Sequence, residues 1–315
     1  MTYEELLKEI ITENNNVIVL TAENRAAIRN LPSQISNNFF DVGIAEQSMI
    51  GIAAGFALRG RVPVTHALAA FLTMRAFEFI RTDVGISGLP VKLVGGVPGF
   101  LSEANGPTHQ AIEDVALMRG IPNMNIFCPA DEEDMLIGLK SVIENPNPFY
   151  IRFNSLMPAV CHNKTFEIGK AEMISFGEDI TILTYGMLFK QAYEAMLNLE
   201  SKGLSVRLLN LRTLKPIDED AVLKAAEETS LVVTLEDHFL TGGLFSIVGE
   251  IFLKNNIMSK VLPIALNNRW FKPGLIDDVL EFEEFTSSKI SEKILKAYEP
   301  AGDYRLFNLP LVKKG

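Results

Sequence analysis

The sequence predicts an α/β fold in two domains, each a mostly parallel sheet with flanking helices. Three observations predict it. Short apolar runs alternate with amphipathic helical stretches along the 315 residues. That is the pattern of βαβ units, whose crossovers lay helices on both faces of a parallel sheet. The alternation breaks once, over residues 154–175, where polar residues, Pro158 and one short extended patch near 166–168 intervene. The composition is 48% hydrophobic and 22% charged, so the chain can bury a core, and its length is long for a single one. The domains are therefore placed at residues 1–160 and 176–315, with 161–175 as the linker.

Each element has a local reason. Residues 1–13 read as a helix: Thr2 and Glu5 fit a capping box, and Leu6, Leu7, Ile10 and Ile11 recur at helical spacing. Strands are predicted over residues 17–20, 39–43, 62–67, 91–95, 125–128 and 149–153. Helices are predicted over 46–58, 71–84, 110–119 and 131–144. The helix at 46–58 is apolar nearly all round, which predicts burial on every side. In the second half the strands fall at 180–184, 205–209, 231–235 and 261–265. The helices there fall at 188–201, 218–229 (opened by Pro216), 243–254 and 287–298. No short repeat or low-complexity tract is present.

Charge and cysteine usage exclude several classes. Lys plus Arg is 29 and Asp plus Glu is 39, a formal net charge of −10. Non-specific nucleic-acid binding needs basic surface to displace counterions, so no nucleic-acid partner is expected. Two cysteines, Cys128 and Cys161, are too few for a disulfide scaffold. They suit a reducing, cytoplasmic setting. No apolar stretch approaches the ~20 residues that span a bilayer. The N-terminus is acidic where a signal peptide is basic.

Open parallel sheets bind ligands at the carboxyl ends of their strands. Three loops at such ends in the first half carry unusual residues. In Asp41-Val42-Gly43-Ile44-Ala45-Glu46-Gln47 a strand ends in a glycine turn, and Glu46 opens a helix. A carboxylate there either complements the helix dipole, worth about 0.3–1 kcal/mol, or serves a ligand. Phe71, Met74 and Phe77, with Arg75 and Arg81 nearby, share one helical face as core packing or as a platform for an aromatic ring. His109 follows the rigid Gly106-Pro107-Thr108 turn. It is either a capping histidine or a group for acid–base and hydrogen-bonding work on a substrate.

These motifs stand together in order. Val42-Gly43-Ile44-Ala45-Glu46-Gln47, the Phe71 helix, Gly106-Pro107-Thr108-His109-Gln110 and Ile121-Pro122-Asn123-Met124 resemble the pyrimidine-binding domain of transketolase and of its relative, deoxyxylulose-phosphate synthase. The run Leu211–Asp218, then Glu236-Asp237-His238 and Gly242-Gly243-Leu244, resembles the C-terminal domain of the same family. The resemblance covers nearly the whole chain.

It implies a role for each residue. Glu46 would hydrogen-bond the pyrimidine of thiamine diphosphate, since a carboxyl withdrawn from water can share a proton with a ring nitrogen. The cofactor then stores the electron pair released from a ketose. Phe71 would stack on the ring, and Phe77 would supply a second aromatic. Met74 stands where many transketolases have a third, which implies a looser pocket. His109 would face substrate, and Arg152 would hold a sugar phosphate with its guanidinium fork or else make an ordinary ion pair at a strand end. Asn105 replaces the acceptor-binding Asp, and it keeps hydrogen bonding while dropping the charge. Glu23 takes the place of a family carboxylate near the first strand. His238 reads as structural and Trp270 as packing. His66, His162, Cys128 and Cys161 show no reason for a role.

The family holds the diphosphate through Mg²⁺ and a Gly-Asp-Gly…Asn motif on a separate domain, and no Gly-Asp-Gly occurs here. No metal ligands are assigned in this chain. The resemblance thus implies the C-terminal subunit of a split transketolase, active only with an N-terminal partner subunit that supplies the Mg²⁺ and diphosphate domain. The expected assembly is an α2β2 heterotetramer acting on sugar phosphates, in central or specialised carbohydrate metabolism. Other readings of the same motifs are the β subunit of a 2-oxo acid dehydrogenase, a deoxyxylulose-phosphate synthase-like enzyme, and a non-catalytic interaction subunit.

Overall fold

The computed structural model describes residues 1–298; the last part of the domain placed at 176–315 lies outside the described residues. The strands run β1 Val17–Thr21, β2 Phe39–Asp41, β3 Val62–Leu68, β4 Lys92–Gly96, β5 Asn125–Phe127, β6 Phe149–Arg152, β7 Glu172–Ser175, β8 Ile180–Thr184, β9 Val206–Asn210, β10 Thr213–Lys215, β11 Leu231–Phe239 and β12 Val261–Leu266. They form two sheets, ordered β10-β5-β6-β4-β3-β1-β2 and β12-β11-β8-β9-β7. Every pairing is parallel except β10 with β5 and β7 with β9. The fold is two α/β domains. Strands such as β1 and β8 are buried at every residue because helices cover both sheet faces. The N-terminal helix Tyr3–Glu13 has its capping box, with Thr2 and Glu5 reciprocally bonded.

In the first sheet the chain leaves β1 for the edge strand β2 and then crosses back to β3 on the other side. This reversal opens a crevice at the strands' carboxyl ends. The segments after β2, β3 and β4 all border it.

Several elements differ from the sequence expectation. Residues 71–84 are not one α-helix. They form a π-helical turn Phe71–Arg75, a short α-helical piece Phe77–Phe79 and a second π-helical stretch Ile80–Gly85. The helix expected from residue 110 begins at Asp114, and residues 99–105 form 3₁₀ turns instead. β7 lies inside the expected linker, and β10, from the second half, extends the first sheet. The helix Glu46–Leu58 is not buried on every side: Ile52 and Leu58 are 42% and 71% exposed.

The domains are joined by shared core and by two buried ionic clusters. Phe100, Ile112 and Ala130 of the first half pack into the core of the second. In one cluster His162 bonds Asp131 and Glu172, each at 2.7 Å, while Arg212 meets Asp134 at 2.6 Å and Glu172 at 3.1 Å. Burial pushes the His162 imidazole down, but its two carboxylate partners and Asp134 outweigh this and raise it to about 10. Asp134, His162 and Glu172 lie close enough together to ligate a metal ion. The Arg212 guanidinium and the His162 imidazolium already supply positive charge to the Asp131, Asp134 and Glu172 carboxylates from the chain itself. In the other cluster Arg152 lies between Asp114 and Asp237. The neighbouring Glu236 caps the helix Leu244–Lys254 by accepting from the Leu244 and Phe245 N–H groups at 2.6 and 3.0 Å. A Cβ at Gly243 would fall 2.0 Å from that carboxylate, which is why glycine stands in the motif.

Candidate functional site

The crevice is built from three turns. After β2 the chain reverses at Gly43, whose φ of +72° suits glycine. Asp41 fixes the turn by accepting from the Gly43 N–H at 2.9 Å, and it pairs with Arg25. Burial opposes ionisation of Asp41, yet those partners and the Glu23 N–H hold its carboxyl below the usual value. Glu46 then opens its helix with only 3% of its side chain exposed.

After β3 the π-helical turn brings Arg75 back over the site. Its guanidinium meets Glu46 Oε2 at 2.9 Å and lies 4.1 Å from the Phe71 ring centroid. Gln47 Nε2 donates to the Arg75 carbonyl at 3.1 Å and ties the two turns together. After β4 the loop carrying His109 closes the third side. The His109 ring meets Phe71 edge-on at 5.0 Å, and its Nδ1 shares a hydrogen bond with Thr108 Oγ1 at 2.9 Å. Glu46, Arg75, Phe71 and His109 therefore form one contiguous series. The carboxylate is buried, while the Arg75 side chain is 45% exposed.

Not every predicted residue joins that series. Met74 packs beside Phe71 against Ala69, Ala70 and Ala111. Phe77 packs against the main core instead. The cause is the π turn: the Ala76 N–H bonds the Phe71 carbonyl five residues back, so a spacing of three no longer selects one face. Asn105 is exposed at the loop tip and donates to the Ser102 carbonyl at 2.9 Å. Glu23 is exposed in the turn after β1, with φ +58°, beside Asp41. Arg152 takes the ion-pair arrangement in this chain. It is 2% exposed, its Nε and Nη1 meet Asp114 and Asp237 at 2.8 and 2.7 Å, and no face is open to a phosphate.

No spacing rule marks the contact between Arg75 and Glu46, because an α-helix over 71–84 would aim Arg75 elsewhere. The anchoring contacts of Gln110 and Phe100, which hold the His109 loop, likewise have no sequence signal. A glutamine and a phenylalanine flanking a polar loop look ordinary without their partners.

The chemistry of the donor set fits the pyrimidine end of thiamine diphosphate. A buried carboxylate can bond a ring nitrogen, and an aromatic face beside it can stack on the ring. Both are covered by the Arg75 guanidinium.

Comparison with known proteins agrees with this architecture. The family model for the transketolase pyrimidine-binding domain matches residues 1–157, and that for the transketolase C-terminal domain matches residues 169–290. The chain is 35% identical over 294 residues to the 6-deoxy-6-sulfo-D-fructose transketolase subunit SqwH of Clostridium sp. (strain MSTE9), covering 92% of this chain and 91% of that one. It is 32% identical over 308 residues to the 1-deoxy-D-xylulose-5-phosphate synthase of Dictyoglomus thermophilum, and there it spans 95% of itself but 50% of the relative. Among solved structures, a split gene transketolase described as an inactive beta4 tetramer superposes with a TM-score of 0.84 at 32% identity, over 94% of this chain and 96% of that one.

Proposed function

We propose that this chain, which belongs to the transketolase family, is one subunit of a split thiamine diphosphate-dependent transketolase. With an N-terminal partner subunit it transfers a two-carbon ketol unit from a ketose, as the phosphate or a comparable acid ester, to an aldose. The observation that carries this reading is the buried Glu46 carboxylate beside the Phe71 ring and His109, at the carboxyl edge of a parallel sheet.

When bound, the cofactor supplies the nucleophilic carbon and the electron sink. The chain's own residues do the rest. Glu46 holds the pyrimidine by a hydrogen bond and shares a proton with it. The Phe71 face orients the ring once Arg75 moves off. His109, braced by Thr108, presents Nε2 to the substrate's oxygen atoms as proton donor or acceptor. Asn105 offers a neutral amide at the mouth of the crevice.

A partner is supported by the apolar surface beside the site. Phe40 of β2, Ile44 of the turn after it, and Ile52 and Leu58 of the Glu46 helix are exposed, and apolar surface is costly to leave in water. The partner would bring the Mg²⁺ and diphosphate ligands.

Calorimetric titration of thiamine diphosphate with Mg²⁺ tests the reading, first on this chain alone and then with its partner. Binding to the mixture only, followed by ketol transfer from a ketose phosphate, is the expected outcome. Tight binding to the single chain, or full transfer by it, would sink the split-site model. The similarity to deoxyxylulose-phosphate synthase favours one alternative donor. A panel containing pyruvate, fructose 6-phosphate and 6-deoxy-6-sulfo-D-fructose separates the two reactions.

A further inference from the structure

The loop carrying Asn105 and His109 belongs to the first domain by sequence, but the second domain holds both of its legs. On the first leg Gly99, at φ +57°, lies so close to Asp237 that a Cβ there would sit 1.7 Å from its carboxylate oxygen. Phe100 is fully buried and packs edge-on against Phe271 at 5.1 Å and Phe285 at 5.0 Å, both from the second domain. On the second leg Gln110, also fully buried, donates from Nε2 to the Phe271 carbonyl at 3.0 Å. The Phe239 N–H bonds the Ile112 carbonyl at 2.8 Å. The legs themselves are closed by the Gly99 N–H on the Ala111 carbonyl at 2.9 Å.

Phe271 therefore grips both legs, one with its ring and one with its carbonyl. Two residues on, Pro273 lies against the far side of the loop, where a Cβ on Gly106 would meet it at 3.7 Å. The tip between the legs gains little from its own burial: Ala104, Asn105, Pro107 and Thr108 are exposed and His109 is half-buried. A segment of that kind keeps its geometry only through its anchors.

We propose that Phe271 and Gln110 are positioning residues for substrate, and that the C-terminal domain serves the reaction by fixing the His109 loop from behind. This rests on the transketolase reading for its substrate. Reactions that depend on oriented groups lose about 10²-fold when a group moves by an ångström, so Phe271→Ala in the complex with the partner subunit should lower kcat/KM by roughly that factor. Gln110→Met, which keeps shape and removes the donor, should lower it by about tenfold. Affinity for thiamine diphosphate should fall by less than kcat/KM does in both, because the Glu46 contact lies on another turn and the loop reaches the cofactor pocket only through the edge contact of His109 with Phe71.

Two readouts separate positioning from general destabilisation. In a His109→Ala background the Gln110→Met change should cost far less than it does in the wild type, since it acts chiefly through His109. Amide exchange should rise across residues 100–110 in Phe271→Ala and stay unchanged across 46–58. If Phe271→Ala fails to fold, Gln110→Met carries the same test. Full additivity in the double variant, unchanged kcat/KM, or unchanged exchange over 100–110 would each overturn the proposal. A wild-type complex without ketol transfer would instead overturn the functional reading, while the exchange data still decide the anchoring.

Discussion

Arg75, in the turn after β3, and Arg152, the last residue of β6, both stand at the carboxyl edge of one sheet, yet the fold uses them in opposite ways. Arg75 faces one buried carboxylate and one ring, with nearly half of its side chain in solvent. Arg152 faces two carboxylates with none of its face free. An arginine that satisfies two buried charges is committed to structure, because removing it would leave both unpaired. An arginine that covers a carboxylate from the solvent side can be exchanged for a ligand. Partner count and burial separate the two, not residue type or position after a strand.

The largest expected effect falls on the carboxylate that Arg75 covers. Glu46→Ala should lower turnover of the reconstituted complex by about 10²–10⁴-fold, the scale for losing a positioned proton-transfer group. Its fold should survive, since Glu46 lies at a helix start where the dipole term is below about 1 kcal/mol. Steady-state ketol transfer and a melting curve check both halves. Normal turnover would leave the comparison without a functional side.

Arg152→Met should show the opposite profile. Breaking a buried pair by removing one partner costs about 3–5 kcal/mol, because Asp114 and Asp237 would be left buried and unneutralised. Urea unfolding of the chain reads this directly. A variant with unchanged stability and a raised KM for phosphorylated donor would restore the phosphate role and erase the contrast.

What the sequence allowed one to see follows the same division. The βαβ order, Glu46 behind its glycine turn and the Gly106-Pro107-Thr108-His109 loop are set by neighbours within a few residues, so they were legible. Arg152 was not, because Asp114 and Asp237 lie 38 and 85 residues away. The place of Phe77 was lost to a π-helical turn that no spacing rule announces. β10 was missed because a three-residue strand has no period, and its partner β5 lies in the other half of the chain. The motif around Glu236 and Gly243 was visible, but its reason, a carboxylate capping the next helix, needed the fold.

The second ionic cluster extends the contrast to pH. His162 is charged in the folded chain, between Asp131 and Glu172 and near Asp134 and Arg212, with its folded value raised from 6.5 to about 10. The stability it contributes is full below about pH 6.5 and is lost as pH rises through about 10. The stability difference between wild type and His162→Gln should therefore shrink steadily over that window. A difference that stays constant with pH would mean that His162 is neutral in the cluster.

The smallest effect is the most telling for Arg75. Its pair with Glu46 is open to solvent only on the arginine side. Arg75→Met leaves one buried carboxylate without its partner, so the melting temperature of the chain should fall, but by less than in Arg152→Met, where two buried carboxylates lose theirs. In the complex it should tighten thiamine diphosphate binding by up to about fivefold, because the guanidinium no longer competes for Glu46 Oε2 and the Phe71 face. Titration calorimetry on the reconstituted complex measures the change. Weaker cofactor binding in the variant would mean that Arg75 holds the ligand rather than occupying its place, and the open arginine would then be committed to function as firmly as Arg152 is to structure.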